Sequence, residues 1–258
     1  MKNFAARKSF GQHFLKTDSK AWQIAQVHLE HAGALPVLEV GAGLGHLTRY
    51  LTSARDLEIV ELDSRCIPHL LKSYGTVARI VHGDFLEVFP DAFDHPEYAL
   101  VGNFPYNISS QILLKILDHA PRVPLFTGMF QLEVARRLIS TPGSREYGIL
   151  SVLLQAQYEG RILLHLRPGD FQPPPAVHSA VILCQRKENF LLPCAAETLR
   201  RVTRAAFGQR RKILRNSLGR ELPALLPYLA HHNLEEKRAE QLSWQIYVEL
   251  ALELEEEG

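Results

Sequence analysis

Asn103-Phe104-Pro105-Tyr106 is the stretch of this chain best equipped for chemistry. The Asn103 carboxamide oxygen and the Phe104 backbone carbonyl can each accept a hydrogen bond from an NH₂ group, and Tyr106 offers a ring on which a flipped base can stack. Pro105 fixes its own φ and keeps Phe104 out of the α conformation, so the Phe104 carbonyl projects from the turn instead of capping a helix. A strand-like run, Tyr98 to Val101, precedes the four residues, and a helix-like one, Ser109 to Leu117, follows. Taken alone, they read equally well as an Asn-x-Pro turn between strand and helix.

Three carboxylates at strand ends shift that balance. The apolar strand Val37-Leu38-Glu39-Val40 runs into Gly41-Ala42-Gly43-Leu44-Gly45 and then an amphipathic stretch, Leu47 to Leu51, expected as a helix. Glycines in such a turn let backbone N–H groups approach a ligand closely. The dinucleotide fingerprint wants Gly or Ala where this chain has His46, which disfavours NAD. Glu39-x-Gly41-x-Gly43-x-Gly45 suits the methionine end of S-adenosylmethionine instead. Glu61 closes the next strand, where a carboxylate meets ribose hydroxyls. Asp84 and Phe85 close a third, placed to accept from an adenine amine and to flank its ring. Any one such carboxylate is more often a turn residue or a helix cap; Glu39, Glu61 and Asp84 in register are not readily chance.

Six separated motifs, in order over nearly the whole chain, resemble the bacterial small-subunit ribosomal RNA adenine dimethyltransferases, the KsgA family. They are Lys8-Ser9-Phe10-Gly11-Gln12-His13-Phe14-Leu15, the glycine turn with Glu61, Gly83-Asp84-Phe85, Asn103-Phe104-Pro105-Tyr106, Phe171-Gln172-Pro173-Pro174-Pro175-Ala176-Val177 and Phe207-Gly208-Gln209-Arg210-Arg211-Lys212. The resemblance implies an α/β, Rossmann-like S-adenosylmethionine-dependent methyltransferase sheet with a small all-helical C-terminal domain. It implies dimethylation at N6 of two adjacent adenosines in the last hairpin of 16S rRNA, within the immature small subunit, and a role in that subunit's assembly. Cofactor contacts are implied for Gln12, His13, Leu15, Glu39, Gly41, Gly43, Gly45, Glu61, Leu62, Asp84, Phe85 and Asn103. From its local sequence Phe171 is a core aromatic before a proline turn; the resemblance makes it Tyr106's partner in sandwiching a flipped base. Phe104 replaces a more usual Leu, His13 an Asn, Leu132 a Lys, and Ala176 and His178 a Lys and an Asp; the missing charges weaken RNA binding without touching the catalytic residues. The alternatives are a large-subunit methyltransferase of the erythromycin-resistance type, against which the Phe207 to Lys212 motif speaks, and an assembly factor in which methylation is incidental.

The net charge of +1 hides a strong asymmetry, because the last 25 residues hold eight Glu against Lys237 and Arg238. Thr198 to Arg220 carries eight Lys/Arg and no acid, either a solvated helix face or a phosphate-binding one. The RNA-binding residues expected are Arg7 and Lys8 of the basic N-terminal arm with Arg204, Arg210, Arg211, Lys212 and Arg215. The three cysteines are scattered and the twelve histidines share no spacing, so neither a disulfide framework nor a metal site is expected. No apolar run reaches the roughly 18 residues that span a bilayer, and nothing at the start reads as a signal peptide. A cytosolic monomer is expected.

Apolar strands alternate with helices up to about Arg186, with strands near 37–40, 57–61, 79–82, 98–102, 123–130, 161–166 and 177–185. Helices are expected over 111–119, 131–140 and 150–157, then only helices over 195–207, 210–218, 223–230 and 243–255. The domains are therefore placed at 1–187, binding the cofactor, and 188–258, helical and RNA-binding, with the boundary near Glu188 to Pro193.

Overall fold

The computed structural model describes Arg7 and residues 11–188 and 192–256. Lys8, Ser9 and Phe10, and part of the expected boundary, lie outside the described residues. In chain order the elements are β1 (Phe14–Leu15), α1 (Asp18–Ala32), β2 (Val37–Val40), β3 (Leu57–Glu61), α2 (Ile67–Tyr74), β4 (Ala78–His82), α3 (Phe85–Val88), β5 (Ala99–Gly102), α4 (Ser109–Asp118) and β6 (Leu125–Gln131). Then come α5 (Leu132–Leu138), α6 (Ile149–Gln155), β7 (Tyr158–Leu166), β8 (Phe171–Gln172), β9 (Ser179–Arg186), α7 (Ala196–Gly208), α8 (Leu214–Glu221), α9 (Leu226–His231) and α10 (Trp244–Glu256).

The seven-stranded sheet has the order β4-β3-β2-β5-β6-β9-β7. Strands β4 to β6 pair in parallel, and β9 returns antiparallel to β6. Every residue of β2, β3 and β5 is buried, as strands covered on both faces must be. Successive strands after β2 build outward on one side to β4 and then on the other to β6. The chain thus reverses its winding between β2 and β5, where α/β sheets open a crevice beyond their strand ends. Glu58, in mid-strand, is buried but satisfied by Arg79 at 2.8 Å and the Tyr98 hydroxyl at 2.9 Å.

Three features of this frame differ from the sequence expectation. Helix α1 buries small residues and a histidine (Ala21, Ile24, Ala25, His28, Ala32), a face too weakly apolar to register as periodic. The short antiparallel pair β1–β8 joins Leu15 to Phe171 across most of the chain, and no local pattern signals such a pairing. After the glycine turn comes a single 3₁₀ turn, Thr48–Tyr50, not the helix expected over Leu47 to Leu51.

The chain divides into two compact units, one of residues up to Ala135 with Arg161–Arg186, the other of Arg136–Gly160 with Lys187 onward. The helical unit therefore takes residues 136–160 from the cofactor-binding domain expected to hold them. Tyr147, fully buried, packs on Phe207 at 6.3 Å, and Phe207 stacks on Tyr247 at 5.8 Å. The Gln155 amide ties the segment down by donating to the Leu138 and Ser140 carbonyls. Alternation along a sequence shows that a helix exists, not which core it completes. The expected helix over 210–218 also changes: α7 stops at Gly208 and α8 starts at Leu214. Ile213 between them is extended and bridges to Arg238.

Candidate functional site

The C-terminal ends of β2, β3, β4 and β5 converge on a cavity of 260 Å³, lined by Gln12, His13, Gly41, Gly43, Glu61, Leu62, Asp84, Phe85 and the whole of Asn103 to Tyr106 among others. Four strand ends that looked independent in the sequence thus share one wall. Leu62 presents an exposed apolar face at this rim and Phe85, buried, stacks on Phe89 at 5.0 Å. Asp84 caps α3 by accepting from the Leu86 N–H at 2.9 Å.

Glu61 organises the glycine turn. One carboxylate oxygen accepts from Gly43 N–H at 2.7 Å and the other from Asp63 N–H at 2.7 Å. Burial pushes its pKa up, while these two backbone donors oppose that shift. Gly41, Gly43 and Gly45 all have positive φ, which only glycine adopts without strain. Their surroundings differ. At Gly41 a Cβ would meet open space, whereas at Gly43 it would lie 2.7 Å from the Phe14 ring. At Gly45 it would lie 2.5 Å from the Tyr74 ring, whose hydroxyl donates to the Gly45 carbonyl at 3.2 Å. Gly45 is thus turned toward α2 and lines neither cavity of the site.

Glu39 faces a smaller adjoining cavity of 30 Å³, shared with Leu15, Gly41, Asn103 and Met129. It is 1% exposed, its Oε2 has no hydrogen-bond partner among the described residues, and burial raises its pKa to about 8. The folded value exceeds the unfolded one, so ionisation opposes folding. Stability should fall as pH rises from about 4.5 toward 8 and level off above, with a slope of at most about 1.4 kcal/mol per pH unit. Glu39→Gln should remove that part of the pH dependence, measured as unfolding free energy against pH. An identical profile for parent and variant would show that Glu39 is ionised in the folded protein.

Asn103 is oriented from behind. Its Nδ2 donates to the His13 carbonyl at 2.8 Å, and since a carbonyl only accepts, Oδ1 is left as the outward atom. The His13 Nδ1 donates to the Pro173 carbonyl at 2.9 Å, and its ring stacks on Tyr106 at 5.6 Å. The Tyr106 hydroxyl is hydrogen-bonded to the buried Ser179 at the start of β9. Gln12, on the cavity wall, is held by Asp63, to which it donates at 3.0 Å. Hydrogen bonds from Arg65 hold the Asp63 carboxyl well below the usual range.

Besides Gly45, two more of the residues expected at the cofactor or the base are placed otherwise. Phe171 is fully buried among Leu15, Ile24, Leu166 and Val181 and does not line the cavity, so it has no face to offer a base. The β1–β8 pairing turns it inward opposite Leu15. The Leu15 side chain is likewise in the core and reaches only the smaller cavity. Phe14, Asp63 and Ser179 are site residues that the sequence expectation lacks. Asp63 stands two residues past Glu61 and was legible as a second carboxylate; Phe14 and Ser179 act through pairings distant in the chain.

In the helical unit Arg204, Arg211, Lys212 and Arg215 are exposed. Arg210 is committed internally: it donates to the Ser144 and Arg145 carbonyls and pairs with Glu240 at 3.6 Å. Arg215 pairs with Glu236 at 3.0 Å. Among the described residues no group of three or more His, Cys, Asp or Glu is placed to hold a metal, and no helix is long and apolar enough to cross a membrane.

Residues 3–255 match the family described as ribosomal RNA adenine dimethylase. The chain is 43% identical over 263 residues to ribosomal RNA small subunit methyltransferase A of Porphyromonas gingivalis, covering 99% of this chain and all of that one. It is 40% identical over 261 residues to the protein of the same name in Flavobacterium johnsoniae, covering 100% and 99%. Among solved structures, a dimethyladenosine transferase from Plasmodium falciparum superposes with a TM-score of 0.82 at 24% identity, over 95% of this chain and 98% of that one. The 23S rRNA methyltransferase ErmE does so at 0.69 and 28%, over 94% and 99%.

Proposed function

Because the chain belongs to the ribosomal RNA adenine dimethylase family, we propose that it transfers methyl groups from S-adenosylmethionine to N6 of two adjacent adenosines in the 3′-terminal hairpin of 16S rRNA. The observation that carries this is the Asn103 carboxamide, held through Nδ2 by the His13 carbonyl so that its oxygen is left to accept; with the neighbouring Phe104 carbonyl it makes the acceptor pair we assign to an exocyclic amine. The higher identity to small-subunit enzymes than to the 23S methyltransferase supports this target over the large subunit.

The residues present fit the cofactor. Oε2 of Glu39, without a partner beside the open face of Gly41, suits its ammonium group. Glu61 suits the ribose hydroxyls and Asp84 the adenine amine, with Leu62 and Phe85 as apolar flanks. A 3₁₀ turn instead of a helix after the glycines accords with a ligand that has no phosphate to set at a helix N-terminus. Bound there, S-adenosylmethionine supplies an already electrophilic methyl group.

The chain's own work is on the nucleophile. The adenine N6 lone pair is delocalised into the ring. Acceptors at Asn103 Oδ1 and the Phe104 carbonyl favour a pyramidal nitrogen and stabilise positive charge as it develops there. Tyr106, held by Ser179 and His13, presents its ring to the flipped base, and stacking of this kind is worth roughly 1 to 3 kcal/mol. No side chain need act as general base during the transfer, because the neutral amine attacks through its lone pair and the cationic nitrogen that results releases its proton to water afterwards; alignment of the bound pair supplies up to roughly 7 to 11 kcal/mol in favourable intramolecular models.

Docking on RNA phosphates falls to Arg204, Arg211 and Lys212 with the arm around Arg7, and Arg210 serves to brace the 144–145 backbone. Replacing Arg211 and Lys212 by Ala should flatten the salt dependence of small-subunit binding by about 0.7 to 0.9 log units for each phosphate no longer neutralised, and leave cofactor binding alone. Arg210→Ala should instead lower the unfolding temperature of the helical unit. An unchanged salt slope in the double variant would remove these residues from the RNA surface. The target itself is tested by offering labelled cofactor and protein to unmethylated small subunits, large subunits and naked RNA. Label on small subunits is expected, and label on large subunits alone would overturn the assignment.

A further inference from the structure

Gly102 in β5 and Gly128 in β6 stand opposite each other across the parallel pair. Neither has a positive φ, so backbone conformation does not call for glycine at either position. Space does. A Cβ at Gly128 would lie 2.5 Å from Cε2 of Phe104 and 2.6 Å from Cε2 of Phe130. A Cβ at Gly102 would lie 2.6 Å from Cε1 of Phe104 and 2.5 Å from the Val40 carbonyl oxygen. The two edges of the Phe104 ring are therefore received by two adjacent strand backbones, and Phe130 closes the slot edge-on with ring centres 5.4 Å apart. Phe104 is 1% exposed yet is part of the cavity wall.

We propose that this cross-strand glycine pair is the seat of the Phe104 ring, and that Gly128 is thereby a positioning residue for methyl transfer, setting where the Phe104 carbonyl meets the target amine. This rests on the reading of that carbonyl as an amine acceptor. The ring and the carbonyl belong to one residue, and Pro105 restricts its backbone. A rigid ring in a close-packed slot leaves that backbone little freedom. One added methyl on the floor of the slot displaces the ring toward the cavity and carries the carbonyl with it. Gly128 is the informative position, because its added carbon meets ring edges, whereas that of Gly102 also meets the backbone of β2.

The test is a cycle of four proteins: the parent, Gly128→Ala, Phe104→Leu and the double variant. Single-turnover methyl transfer to unmethylated small subunits, cofactor affinity and unfolding temperature are measured for each. In the parent background Gly128→Ala should lower transfer about tenfold to a hundredfold, the scale of a misplacement of about 1 Å, with cofactor affinity unchanged. In the Phe104→Leu background, where the shorter side chain leaves room, the same change should raise both the rate and the unfolding temperature. Equal losses in both backgrounds, or no loss in the parent, would overturn the seat. If Gly128→Ala does not fold, a folded double variant supports the proposal and an unfolded one overturns it. If the parent itself transfers no methyl, the functional reading fails, and the unfolding temperatures alone decide the seat: additive changes overturn it.

Discussion

Asn103→Ala lowers the single-turnover rate of methyl transfer by about 10²- to 10³-fold, the usual cost of removing one preorganised hydrogen-bonding group from a developing charge, and changes cofactor affinity far less. The expectation follows from the single outward atom of the side chain. Nδ2 is occupied by the His13 carbonyl, so Oδ1 is the acceptor whose loss the target amine feels. Tyr106→Ala differs in kind, since a stacking face is lost as well as alignment, and both capture of the RNA and the rate fall. Tyr106→Phe keeps the ring and loses only the bond to Ser179, so its effect is much the smaller. A rapid-quench comparison of the four proteins at saturating cofactor separates these outcomes. Parental rates in Asn103→Ala would take the side chain out of the mechanism.

Glu61→Ala weakens the cofactor about tenfold to a hundredfold, at roughly 1.5 to 3 kcal/mol for hydrogen bonds to a charged acceptor. Two contributions add. The ribose hydroxyls lose their acceptor, and the Gly43 and Asp63 N–H groups lose theirs, which loosens the glycine turn itself. Glu61→Gln tells them apart, because an amide keeps one acceptor oxygen but turns a donor toward the other N–H. It should fall between parent and alanine, with the folded state intact. Calorimetric titration with the cofactor reads all three, and equal affinity in a folded Glu61→Ala protein would sink the ribose assignment.

The parts of the site that were legible in the sequence are those that lie at the ends of strands. Glu39, Glu61, Asp84 and Asn103 each follow or close a short run of apolar residues, and parallel strands with buried faces leave such runs unbroken. Where a strand ends, its last polar side chain must point into the crevice or into solvent, so identity and place were given together. What stayed hidden depends on contacts between distant segments. Phe171 looked like a base platform by resemblance, but its pairing with Leu15 turns it into the core. Ser179 is an ordinary serine until β9 lies against β6 and brings it to Tyr106. The basic motif after Phe207 read as one helix of phosphate ligands. The helix expected from Arg210 begins only at Leu214, after an extended Ile213, and Arg210 turns inward to the 144–145 backbone. Periodicity measures burial along one element, and it is silent on which partner covers that element.

Incubation of unmethylated small subunits with the protein and labelled S-adenosylmethionine, followed by mass mapping of the modified nucleotides, decides whether the acceptor pair at Asn103 and Phe104 serves the reaction assigned to it. Two adjacent N6,N6-dimethyladenosines in the 3′-terminal hairpin of 16S rRNA are expected, and none from Asn103→Ala over the same interval. Methyl groups on other nucleotides, on oxygen or ring nitrogens, or only on large-subunit RNA would contradict it.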